Sequence, residues 1–131
     1  MATDREAVFV ALRETLRAHR GTLSVGADTP VRFCLEASVG PATLAAWGGR
    51  VRRRTIPVAW VECGKANVSL HLMGLAGNPA LLANLSPSLR ARLQGKTCFG
   101  FRTVDDTLIA ELDAVTGAAI AGFRRAGFIA D

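Results

Sequence analysis

The chain has 131 residues, half of them hydrophobic, and a formal net charge of +5. That length suits one domain with a core that needs neither disulfides nor a metal, and no apolar run approaches the roughly 18 residues of a membrane span. The opening MATDREAVFV has an acidic residue early and only a short apolar run, unlike a signal peptide, so a soluble, cytoplasmic protein is expected. Cys34, Cys63 and Cys98 are odd in number and form no CxxC pair, which suits a reducing compartment and buried thiols. The charge is uneven: residues 50–102 carry nine basic groups and one acidic, while the two flanking regions sum to zero and to a negative value. A basic middle attracts anions in general. Most of these groups are arginine, however, a bias that a GC-rich genome also produces.

In chain order, Thr3 and Glu6 have capping-box spacing, Val8, Leu12 and Leu16 repeat at helical intervals, and Gly21 follows the basic end, predicting a helix over 4–20. TLSV predicts a short strand and GADTP a turn. VRFCLEAS then alternates, with Val31, Phe33, Leu35 and Ala37 on one face and Arg32, Cys34, Glu36 and Ser38 on the other. Residues 40–54 lack a period and read as a loop with one helical turn around Ala42 to Trp47. TIPVAWVEC places Ile56, Val58 and Trp60 opposite Ala59, Val61 and Cys63, and continues through GKAN into VSLHLM as a hairpin. Asn78-Pro79 and Ser86-Pro87 each read as a helix N-cap followed by proline, the second helix stopping at Gly95. TCFGF reads as a strand, and a long helix opens at Thr103 and Asp106 and ends at Arg124 and Arg125 before Gly127. Hairpin-linked strands bracketed by helices predict an α+β fold, with a mainly antiparallel sheet of about five strands and the terminal helices on one face.

Several segments invite a chemical reading. QGKT ends like a phosphate-binding loop, but residue 90, where that motif requires its first glycine, is Arg90, and a helix precedes rather than follows the segment. Gly95 reads instead as a left-handed helix stop. Cys63 and Cys98 lack a sequence neighbour that could act as base and read as core thiols. Cys34, Glu36 and His71 converge if their strand faces coincide, though no recognised metal-ligand spacing is present. RVRRR, with Arg50, Arg52, Arg53 and Arg54, is basic enough to touch phosphate. It lacks interleaved aromatics and any recognition motif, which leaves nucleic-acid association the weaker alternative to a solvated loop.

The segment from Lys65 to Leu112 contains a VSxHLM strand, an NPxLL turn, an SPxLRxRxQGKxCFxF segment and a VDxxLxxEL helix start. In these ordered words it resembles the YdhG-like family of uncharacterised bacterial domains. ADTPVRFCLEAS and TIPVAWVECGKANVS are similar to that family's preceding turn, strand and hairpin, whereas ATLAAWGGRVRRR departs from its pattern. The resemblance implies a frataxin-like α+β arrangement, and some family members are described as iron chaperones. Iron handling would draw on Asp105, Asp106, Glu111 and Asp113 of the last helix, because the first helix is on balance basic. No catalytic residue or resident cofactor is implied. The leading expectation is a non-enzymatic module that binds an anionic small molecule or a protein partner through Arg32, Ser69 and His71, with Lys65 and Lys96 at the strand ends. Homodimer formation is a further expectation, since an apolar-rich chain of this size can leave a strand face or edge to cover.

Overall fold

A computed structural model of the chain describes residues 4–46, 48–49 and 54–129. The elements run α1 (Asp4–Ala18), β1 (Ser24–Thr29), β2 (Arg32–Ser38), α2 (Pro41–Ala46), β3 (Thr55–Cys63) and β4 (Val68–Leu72). A 3-10 turn (Met73–Leu75), α3 (Pro79–Ala83), α4 (Pro87–Arg90), β5 (Cys98–Phe101) and α5 (Asp106–Arg125) complete the chain. The strands form one antiparallel sheet in the order β1-β2-β3-β4-β5, so each pairs with its sequence neighbour. The fold is α+β, with a five-stranded sheet and flanking helices.

Residues of alternating parity decide which face the helices cover. Phe33, Leu35, Val61, Leu70 and Phe99 join Val8, Leu12 and Leu16 of α1 and Leu108, Leu112 and Val115 of α5 in one buried cluster. The Arg17 guanidinium lies over the Phe33 ring at 5.2 Å, on this same side. Full burial of such a side chain contributes about 1.5–3 kcal/mol, so the cluster fixes the register of every strand. A one-residue slip would turn its apolar set to the opposite face.

Several expected boundaries shift for physical reasons. GADT belongs to β1 rather than to a turn, and the turn is the two-residue Pro30-Val31, with Thr29 paired to Arg32. The Thr29 hydroxyl accepts from the amides of Val31 and Arg32, closing that tight turn and leaving Val31 exposed outside the sheet. Val58 is the extra residue of a bulge in β3, where Leu35 pairs with Ala59 and Glu36 with Pro57. It is buried in the core rather than sharing a face with Trp60. The helix after Ser86 ends at Arg90, and Gly95, at φ 94°, instead makes the turn between Gln94 and β5, where the Gln94 amide donates to the Cys98 carbonyl at 2.7 Å. Asp105, not Thr103, caps α5 by accepting from the Leu108 amide. The Asn78 and Ser86 caps form as expected. Thr3, Trp47, Arg50, Arg52 and Arg53 lie outside the described residues, and with them the capping box of α1 and most of the arginine run.

Candidate functional site

With α1 and α5 on one side of the sheet, the opposite face is lined by side chains in two rows. Arg32, Glu62, Ser69 and Gly100 form one row across β2 to β5, and Cys34, Trp60, His71 and Cys98 form the next. Glu62 lies between the two candidate cations, its Oε2 3.9 Å from Arg32 Nε and its Oε1 3.5 Å from His71 Nε2. The His71 ring stacks on Trp60, with centroids 4.5 Å apart and planes 8° from parallel. His71 Nε2 also lies 3.5 Å from Cys98 Sγ. The outer row remains partly accessible, with the Arg32 side chain 41% and Glu62 43% exposed, whereas Cys34 is fully buried.

Three of the five expected site residues, Arg32, Ser69 and His71, therefore share this face. Lys65 and Lys96 do not converge with each other: Lys65 lies in the β3–β4 turn, where its carbonyl accepts from Arg5 Nη1, and Lys96 lies at the other end of β4, beside the Leu72 amide to Thr97 carbonyl bond. The five residues of β4 separate them, about 16 Å at a strand's rise per residue. The expected meeting of Cys34 with His71 also fails, because both are paired to Trp60 on opposite sides and the indole stands between them. Glu36 turns away from His71, accepting from the Thr55 hydroxyl at 2.8 Å over the bulged Gly26. The thiol beside His71 is that of Cys98.

Comparison with family models, with curated proteins and with solved structures finds no match for this chain. Its chemistry must therefore be read from geometry.

Cys98 and His71 are the pair most like an activated nucleophile, and two observations argue against that role. Burial pushes the Cys98 thiol above its ordinary range and the His71 imidazole below its own, so both rest neutral rather than as thiolate and imidazolium. Glu62 and Cys98 also approach the same ring nitrogen, whereas a working base is oriented through one nitrogen and acts through the other. Three of the four carboxylates expected to handle iron, all but Asp106, are similarly engaged. Asp105 caps the helix, Glu111 Oε2 accepts from the Ser86 amide at 2.8 Å and Glu111 Oε1 from its hydroxyl at 2.5 Å, and Asp113 Oδ1 lies 2.8 Å from His19 Nε2. Among the described residues no group of three or more His, Cys, Asp or Glu side chains is placed to hold a metal ion. None of the described helices is long and apolar enough to cross a membrane.

Trp60, Glu62 and Cys98 are the site residues that sequence reasoning passed over. Counting outward through the GKAN turn pairs Glu62 with Ser69 and Trp60 with His71, so two of the three were available from the hairpin alone. Cys98 was not, because its register depends on a long connection containing two short helices.

Proposed function

We propose that this chain is a cytoplasmic, non-enzymatic binding module of the YdhG-like, frataxin-like kind, and that the sheet face opposite the helices docks a protein surface. The ordered words between Lys65 and Leu112 support the kinship, and three free cysteines suit a reducing compartment. The observation that carries the docking reading is the Arg32–Glu62 pair beside the Trp60–His71 stack. Trp and Arg are the residue types most enriched where protein partners bind. Glu62 lies between Arg32 and a neutral imidazole, so neither of these two groups is left as an unpaired cation for a small anion, which favours the protein-partner half of the expectation.

The partner that this pattern fits is a second copy of the chain. An Arg and a Glu side by side are self-complementary under a two-fold axis, each facing the opposite charge of the other copy. At 3.9 Å and about 40% exposure the pair contributes little within one chain, so little is lost when it re-pairs across an interface. Sedimentation of the wild type, Arg32→Glu, Glu62→Arg and the double charge swap tests this. The wild type is expected to dimerise, each single variant to weaken the dimer at least about tenfold through like-charge contacts, and the double swap to restore it. A wild type that stays monomeric at all accessible concentrations, or a double swap no better than the singles, would overturn the proposal.

A further inference from the structure

We propose that His71 is a pH sensor for the docking of two copies: on taking up a proton, its imidazole draws Glu62 away from Arg32 of the second copy and the dimer dissociates. The regulation rests on the docking reading above, since both act through the same carboxylate. Glu62 is the one acidic side chain in the two rows of this face. Its oxygens are divided between two neighbours, Oε2 lying 3.9 Å from Arg32 Nε and Oε1 3.5 Å from His71 Nε2. Charge-assisted hydrogen bonds close to about 2.7–2.9 Å. Both contacts are therefore loose while the imidazole is neutral, and Glu62 can turn to a cation on the second copy.

The surroundings of His71 set the direction of the response. From β3 the ring meets the Glu62 carboxylate and the uncharged Trp60 indole, whose stacking holds it in place. From β5 it meets the Cys98 thiol, 3.5 Å from the same Nε2, and beyond Glu62 stands the Arg32 guanidinium of β2. The long helices pack on the other face of the sheet. Burial is the strongest influence on the ring and lowers its pKa, Glu62 opposes it and Arg32 adds to it, so the imidazole is neutral at neutral pH and takes up a proton only below its ordinary 6.5. Docking strengthens both influences that disfavour the proton. It takes the 22%-exposed ring further from water and brings a second guanidinium to Glu62. A single chain therefore binds the proton more readily than a docked one, and by linkage each proton bound weakens the dimer. The protonated face also gains a positive charge beside Arg32, while the attraction of Glu62 to its own imidazolium competes with its attraction to the opposite guanidinium.

Sedimentation of the full chain at about pH 7.5 and about pH 5 tests the assignment. The dissociation constant of the wild-type dimer is expected to rise about tenfold or more on acidification, because two protons are excluded per dimer. The protein has two histidines, and the other, His19, lies on the helix side with its Nε2 2.8 Å from Asp113 Oδ1. His71→Gln should therefore dimerise with little change between the two pH values, whereas His19→Gln should respond as the wild type does. Circular dichroism at each pH checks that every variant is folded. Reciprocity supplies a second readout: the His71 ring resonances should titrate at a lower pH in a concentrated sample than in a dilute one. A wild type equally dimeric at both pH values, a response that survives in His71→Gln, or a His71 titration indifferent to concentration would overturn the sensor and leave the docking standing. A wild type monomeric at both pH values would overturn the docking and the sensor with it.

Discussion

Glu111 is the acidic residue of the last helix whose role the structure defines most sharply, and its replacement makes a demanding test. Its carboxylate accepts from both the amide and the hydroxyl of Ser86, and that hydroxyl in turn accepts from the Leu89 amide at 3.1 Å, so one side chain ties the start of α4 to the middle of α5. Hydrogen bonds to a charged group contribute about 1.5–3 kcal/mol each when well shielded. Glu111 is half-buried, and the two bonds share one acceptor group, so Glu111→Ala should cost ~2–3 kcal/mol in all. Unfolding entropy of about 2.1 cal/mol/K per residue over 131 residues makes each kcal/mol worth about 4 °C, for a fall in Tm of about 7–11 °C. Urea and thermal denaturation followed by circular dichroism measure this, and Glu111→Gln, which keeps one acceptor oxygen, should lose about half as much. A loss below about 0.5 kcal/mol for the alanine variant would mean that the carboxylate is not structural. Calorimetry with Fe(II) completes the test: no saturable heat is expected, and heat that disappears in Glu111→Gln would return the residue to metal handling.

Stability should also depend on pH from both sides. His71 has its pKa lowered in the fold by burial, so between that value and the ordinary 6.5 the unfolded chain binds more protons. Its contribution is complete above pH 6.5 and is lost as pH falls below it; in His71→Gln that part of the acid limb should flatten. The thiols of Cys34, Cys63 and Cys98 are raised by burial, so above their ordinary value of 9.0 the unfolded chain releases protons that the folded chain retains, and stability should decline there. Denaturant midpoints across pH 5 to 10 that vary in the opposite sense would refute both assignments. At the β1 bulge, a Cβ on Gly26 would fall 2.1 Å from the Glu36 carboxyl carbon and displace the acceptor of the Thr55 hydroxyl. Gly26→Ala should therefore cost about 1 kcal/mol in the wild type and nothing further in a Glu36→Ala background, a coupling that a double-mutant cycle reads directly.

The sequence by itself determined the local structure wherever one signal dominated. Alternation placed Phe33 and Leu35 opposite Arg32, Cys34 and Glu36, the Asn78 and Ser86 caps followed by proline started two helices, and the GKAN turn fixed the register between Trp60 and His71. These features depend on residues close together in the chain, whose sterics and hydrogen bonds act before anything else is in place. Local pattern misled where a distant partner competes. GADT looks like a turn until β2 pairs with it, and Val58 keeps its place in an alternating run only until the bulge opposite Leu35 turns it into the core.

What brings chemistry-bearing groups together was decided by tertiary structure alone. Cys98 reaches His71 because β5 returns to pair with β4 after a connection of more than twenty residues. Glu62 meets Arg32 because β2 and β3 pair across the segment that contains α2. Ala42 comes close to Gly127 because α2 packs near the far end of the chain. No local spacing encodes these meetings. They follow from where the buried faces of α1, α5 and the sheet come to rest, and that is a property of the whole core.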